Sequence, residues 1–277
     1  MKAKVAYLFA TINNKNHAAV TKKLKNFLKA VLFERLGDDE KAEIDKIRNL
    51  RGKLYISKEQ IDIIEGYNAP ESHYDKLYLS STTVGSVTSI SSMPSSWAII
   101  LYQVIREFKP TTCFEMGTCV GISGMYQALA LKFNHNGSLT TFELSPSKVN
   151  IAINNFKELD FNNVETVCGK FQDTLKEKLL EKQPIDYIFI DGHHDGEATM
   201  KYFKLVLPYL SDNAIIVFDD INWSKSMKNT WNIIKKNNQL LFTLDLIRLG
   251  ICIVGKHSSL GNSGGSMQNS CGNSLPD

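Results

Sequence analysis

From Trp97 onward the apolar positions of the chain switch repeatedly between two spacings. Trp97 to Phe108 carries a helical pattern that stops before Pro110. Short apolar runs then follow at Thr112–Met116, Ser138–Glu143, Val164–Cys168, Asp186–Asp191 and Ala214–Asp219, each succeeded by a helical pattern. Buried strands alternating with helices predict a parallel sheet covered on both faces. The expected fold class is therefore α/β, a doubly wound, mostly parallel seven-stranded sheet. At its end, Leu241–Leu246 and Gly250–Val254 read as two strands joined by a short turn, an antiparallel hairpin at one edge. Ser145 and Pro146 mark a helix start, a capping hydroxyl followed by a residue suited to the first helical position.

The first ninety-six residues have a different pattern. Val20 to Ile64 is rich in Lys, Glu, Leu and Ile, with Leu24, Leu28, Val31 and Leu32 at helical spacing, and predicts an amphipathic helical appendage. From Tyr67 to Ser96 the periodicity fades and Ser, Thr and Gly dominate, as in a mobile flap or a plain linker. From His257 the tail is Gly, Ser and Asn and has little to bury, so disorder is expected. These limits divide the chain into 1–96 (appendage and flap), 97–256 (core domain) and 257–277 (tail).

Composition narrows the function classes. In 277 residues, 43% are apolar and 22% charged, which suits a globular protein, and the net charge of +3 is scattered. No basic stripe marks a nucleic-acid partner, and no apolar run is long enough to span a bilayer. Met1 to Ala10 is too short an apolar stretch for a signal peptide, so the expected location is cytoplasmic. The five cysteines, 113, 119, 168, 252 and 271, form no CxxC pair and read as reduced thiols.

The chemistry concentrates at strand ends. After the first core strand comes Glu115-Met116-Gly117-Thr118-Cys119-Val120-Gly121-Ile122-Ser123. Its glycines allow a sharp turn close to a ligand, and the helix that follows offers free N–H groups to an anion. A dinucleotide fingerprint would need glycine in place of Cys119. Glu143 ends the second strand, where a carboxylate can accept both hydroxyls of a ribose; with Glu115, Gly117 and Gly121 it favours an adenosyl cofactor. Asp191-Gly192-His193-His194 and Asp219-Asp220-Ile221-Asn222 end two further strands, and in a parallel sheet such ends converge on one crevice. Gathered carboxylates repel by roughly 4 kcal/mol per pair at 4 Å and an effective dielectric near 20, and oxygen ligands of this type suit Mg²⁺.

The segment Phe114 to Ser123 resembles the first motif of the catechol and caffeoyl-coenzyme A type O-methyltransferases. Phe142-Glu143-Leu144-Ser145-Pro146 is similar to that family's ribose-binding segment, and Gly169-Lys170-Phe171-Gln172-Asp173 to its adenine-side loop. The resemblance runs from about Trp97 to Val254. It implies S-adenosylmethionine as cofactor, held by Glu115, Gly117, Thr118, Gly121 and Ser123, with Glu143 on the ribose, Phe171 and Gln172 beside the adenine, and Asp191 near the sulfonium. It further implies a divalent ion, Mg²⁺ or another, on Asp191, Asp219 and Asp220, although Asp220 stands where the family has asparagine. His194 occupies the place of the family's catalytic lysine and, with Asp191, is the expected catalytic pair; a neutral imidazole is a suitable general base.

The implied activity is methyl transfer to a hydroxyl of a small molecule, with no nucleic-acid or membrane partner and with a homodimer as one possible assembly. Tyr74, Tyr78, Met93, Trp97 and Trp223 are candidates for the acceptor pocket. Two alternatives stay open: a metal-independent N- or carboxyl-methyltransferase, and a non-catalytic adenosyl-binding module that engages a partner.

Overall fold

The computed structural model describes residues 18–33, 35–66, 77–192 and 194–255. The start of the chain, Tyr74, His193, Cys271 and the Gly/Ser/Asn tail lie outside the described residues, as does the side chain of Tyr78. Two N-terminal helices, α1 (Ala18–Phe33) and α2 (Asp38–Tyr55), precede a pair of strands, β1 (Gln60–Gly66) and β2 (Leu77–Thr83). Helices α3 (Val84–Ser91) and α4 (Ser95–Phe108) lead into the core. There β3 (Thr112–Met116), α5 (Ile122–Asn134), β4 (Ser138–Glu143), α6 (Pro146–Glu158), β5 (Val164–Cys168) and α7 (Phe171–Lys182) alternate. They are followed by β6 (Ile185–Ile190), α8 (Gly196–Val206), β7 (Leu210–Phe218), α9 (Lys225–Ile234), β8 (Leu240–Leu246) and β9 (Leu249–Val254).

The seven core strands lie in the order β5-β4-β3-β6-β7-β9-β8. The first five are parallel, whereas β9 runs antiparallel to both β7 and β8. This is the expected mixed sheet with its edge hairpin. Alternate strand residues feed two separate cores: Cys113, Tyr187, Phe189, Ile215 and Val217 face one way, and Phe114, Ile188, Ile190, Ile216 and Phe218 the other. The first core takes apolar residues from α4, α5 and α6, and the second from α7, α8 and α9. Each large side chain so buried contributes on the order of 2 kcal/mol, and the period of two assigns it to one face or the other.

The N-terminal part departs from expectation in two ways. The helical pattern does not continue to Ile64; α2 ends at Tyr55, and Gln60–Gly66 pairs antiparallel with Leu77–Thr83. Ile61, Ile63 and Ile64 are β-branched, which favours a strand once a partner is available. Within the Ser/Thr segment, Leu77–Thr83 forms a strand and Val84–Ser91 a helix. Thr83 ends β2 and caps α3 by accepting from the Ser86 N–H at 3.1 Å. Leu24, Phe27 and Leu28 of α1 and Ile44, Ile47 and Leu50 of α2 enter the same core as Leu101 and Met125. These helices are therefore packed as part of one continuous core. Met93 is buried in it and Trp97 packs against it.

Ser145 sits at the N-cap of α6 with Pro146 in the first turn, but its hydroxyl makes no cap bond. Instead Ser145 Oγ accepts from the Ile64 N–H at 3.2 Å, which ties β1 to the start of α6.

Candidate active site

The chain moves from β3 outward to β5 and then crosses back to β6, so the sheet changes direction between β3 and β6. Crevices open at such a switch point, beyond the carboxyl ends of the strands. Here the Asp191 N–H donates to the Met116 carbonyl at 3.0 Å, and Gly117 follows immediately. Gly117 has φ +104°, and a Cβ there would stand 2.0 Å from the Asp191 carbonyl oxygen. Only glycine allows the β3 and β6 ends to approach this closely.

The turn is held from β4. Both Gly117 N–H and Thr118 N–H donate to the Phe142 carbonyl at 3.0 Å. One residue later, Glu143 Oε2 accepts from the Cys119 N–H at 2.9 Å, while Oε1 accepts from the Ser145 N–H at 2.9 Å. The structure thus brings the glycine turn and the acidic strand end into direct contact. Gly169 N–H donates to the Glu143 carbonyl at 2.9 Å, which adds the loop before α7 to the same rim. Phe171 meets Tyr202 edge-on, with ring centroids 5.6 Å apart, and a Cβ on Gly192 would touch it at 2.8 Å. Gln172 is exposed on the first turn of α7.

Three expected cofactor contacts lie beneath the turn instead of lining it. Glu115 is fully buried; its carboxylate accepts from Gln127 Nε2 at 2.6 Å and from Thr141 Oγ1 at 2.7 Å, with Ser123 as a further hydrogen-bond partner. Thr118 Oγ1 is 2.6 Å from Thr141 Oγ1. A carboxylate enclosed by its own chain has no surface for a ligand, so Glu115, Thr118 and Ser123 brace the turn from below. Burial pushes the Glu115 carboxyl up to about 7, against the downward pull of those three hydrogen bonds.

At the other end of the crevice the acidic residues do converge, around a residue absent from the sequence reading. Asp219, almost wholly buried, receives Arg248 Nε on Oδ1 at 2.7 Å and a terminal guanidinium nitrogen on Oδ2 at 2.6 Å. Arg248 Nε also lies 3.4 Å from Asp220 Oδ1. Asp220 Oδ2 is 3.2 Å from His194 Nδ1, and His194 Nε2 is 4.0 Å from Asp191 Oδ1. Burial raises the Asp191 carboxyl well above the usual carboxylate range, helped by Asp219 and Asp220 and opposed by Arg248. Asp220 is raised too, by burial first and then by Asp219, with Arg248 and His194 opposing.

The trio expected to hold a metal is therefore assembled but already neutralised in part. A divalent ion would need the same oxygens at about 2.1 Å, and both oxygens of Asp219 point at a guanidinium. Among the described residues no group of three or more His, Cys, Asp and Glu side chains is arranged to hold a metal ion. The metal assignment to Asp191, Asp219 and Asp220 does not fit this geometry.

Arg248 was readable only through register. Phe218 of β7 pairs with Gly250 of β9, so the β8–β9 turn emerges beside the carboxyl end of β7. Parallel-strand logic gathers strand ends and overlooks an antiparallel turn at the same edge. Trp223, 70% exposed, completes the rim, its ring centroid 6.1 Å from that of His194.

Residues 114–221 match a family model described as a methyltransferase domain. This chain carries a methyltransferase domain. The domain's fold recurs in solved structures. An O-methyltransferase from Bacillus cereus in complex with SAH is 18% identical, with a TM-score of 0.55 over 77% of this chain and 90% of that one. A putative caffeoyl-CoA O-methyltransferase from Staphylococcus aureus is 20% identical, with a TM-score of 0.53 over 61% and 88%. A Podospora anserina methyltransferase, also SAH-bound, is 19% identical, with a TM-score of 0.52 over 60% and 80%. At these identities the likeness establishes the shared fold. The methyltransferase domain begins at β3 and ends just past Asp219 and Asp220, so it contains every site residue above except Trp223 and Arg248. No described helix is long and apolar enough to cross a membrane.

Proposed function

We propose that this chain transfers the methyl group of S-adenosylmethionine to a hydroxyl oxygen of a small molecule. The observation that carries the reading is the bond from Cys119 N–H to Glu143, which joins the glycine turn and the acidic strand end into one cradle. Gly117, Gly121 and Glu143 would hold the cofactor, with Phe171 and Gln172 toward its base and Asp191 at the reacting end. When bound, the cofactor supplies an electrophilic methyl carbon on a sulfonium. The solved neighbours from Bacillus cereus and Podospora anserina, which carry SAH, support the choice of cofactor.

The chain's own residues then have two tasks. The first is alignment: holding oxygen and methyl in line makes the encounter intramolecular, an effect worth roughly 7 to 11 kcal/mol in favourable cases. The second is proton acceptance. His194 Nδ1 lies 3.2 Å from Asp220 Oδ2; a proton carried on that nitrogen leaves the lone pair on Nε2, the atom we assign to take the hydroxyl proton. Trp223 offers the acceptor an apolar face beside that histidine.

The test pairs binding with turnover. SAH at 100 times its dissociation constant should stabilise the protein by roughly 2.7 kcal/mol, and transfer from methyl-labelled S-adenosylmethionine should appear on one or more members of a panel of phenols, catechols and sugar hydroxyls. Binding without transfer to any hydroxyl, or transfer only to amines or carboxylates, would overturn the oxygen assignment.

A further inference from the structure

We infer that Arg248 is the resident cation of the acidic strand ends, a positioning residue that makes the crevice independent of a divalent ion. The inference rests on the methyl-transfer reading for its purpose, but its geometry stands apart from it.

Asp219 is 2% exposed, and a carboxylate so buried requires a counter-charge with matched hydrogen bonds. Arg248 supplies both through a forked pair of N–H···O bonds at 2.7 and 2.6 Å, the arrangement in which guanidinium and carboxylate are most complementary. The turn that delivers Arg248 is fixed on both sides. The Arg248 carbonyl accepts from Ile221 N–H at 3.0 Å, and its N–H donates to Leu246 at 2.9 Å. Asn222 Nδ2 donates to the Ile247 carbonyl at 2.5 Å, and Asp245 Oδ1 accepts from Ile247 N–H at 3.0 Å. Ile247 itself is held at φ 75°, a conformation that a β-branched side chain rarely adopts. A turn strained in this way and bonded to the β7 end is built to present the residue next to it.

The consequence reaches the proposed base. Asp220 bridges the two groups, Oδ1 toward Arg248 and Oδ2 toward His194, so the guanidinium sets the carboxylate that sets the imidazole. A metal placed on these oxygens would have to expel Arg248 and bring a second positive charge beside it.

The experiment uses full-length protein stripped with chelator and Mn²⁺ alone as the probe, followed by calorimetry and by the electron spin resonance of free Mn²⁺. Wild type is expected to show no Mn²⁺ binding below millimolar concentration that Asp220→Asn removes, and an SAH-induced melting shift unchanged between EDTA and Mg²⁺. Arg248→Gln, with its aspartates released, is expected to gain Mn²⁺ affinity at least tenfold, and Arg248→Lys to stay close to wild type. Micromolar Mn²⁺ binding by wild type that Asp220→Asn abolishes would overturn the inference. If Arg248→Gln does not fold, the comparison of wild type with Asp220→Asn decides the question. Absence of any SAH shift would instead defeat the methyl-transfer reading, and the Mn²⁺ result would stand separately.

Discussion

Arg248 grips Asp219 across 29 residues of sequence with two short bonds, one to each carboxylate oxygen. Removing one partner leaves the other charge buried and uncompensated. Arg248→Met is therefore expected to lower stability by about 3 kcal/mol, read from urea unfolding midpoints at pH 7. Asp219→Asn should cost less, because its amide oxygen can still accept one of the two bonds. An Arg248→Met variant as stable as wild type would show that the pair is formed without consequence.

Gly117 has no tolerance for a side chain. A Cβ would meet the Asp191 carbonyl oxygen at 2.0 Å, and the backbone is at φ +104°. Gly117→Ala should destabilise the fold by at least about 2 kcal/mol and abolish SAH binding. Gly121→Ala is expected to be milder, since its Cβ would first meet the Phe156 ring at 3.1 Å. Differential scanning calorimetry with and without SAH separates the two effects.

Glu143 supports the cradle through two backbone N–H groups. Glu143→Ala strands the Cys119 and Ser145 donors and is expected to weaken SAH binding by 10-fold or more, since a hydrogen bond to a charged group is worth about 1.5 to 3 kcal/mol. Glu143→Gln retains an acceptor for only one of them and should fall between. Titration calorimetry with SAH provides the ordering.

Burial raises the Glu115 carboxyl from 4.5 to about 7, so the folded state holds its proton more tightly than the unfolded chain does. Stability from this group is complete below pH 4.5 and is lost as pH rises toward 7, a decline of about 3 kcal/mol in total. Glu115→Gln should flatten that part of the stability profile, measured by unfolding at half-unit pH steps. A profile identical in wild type and variant would contradict the buried, protonated carboxyl.

His194→Gln should reduce methyl transfer by about 10² to 10⁴-fold, the usual contribution of a positioned acid-base group. Its SAH affinity should stay within a factor of two or three of wild type. Trp223→Ala is expected to raise the acceptor KM while leaving SAH binding unchanged. Steady-state kinetics with labelled cofactor, beside SAH titrations, distinguish these outcomes from general unfolding.

Local pattern was sufficient for the core of this protein. The short apolar runs at Thr112–Met116 and Ser138–Glu143, and the glycines on either side of Cys119, are local features: neighbouring residues decide where a buried strand forms and where the backbone must turn. Parallel strand ends share an edge, so Glu143, Asp191 and Asp219 could be assigned to one crevice from sequence order alone. Helical spacing misread Gln60–Gly66 because a strand needs a partner, and β2 begins eleven residues after β1 ends. What only the tertiary structure decided is which charges meet. The turn at Arg248 reaches Asp219 through the register of an antiparallel pair, and Glu115, Thr118 and Ser123 are enclosed by β4 and α5. Electrostatic pairing and burial depend on distances between segments remote in sequence, and no spacing along the chain encodes them.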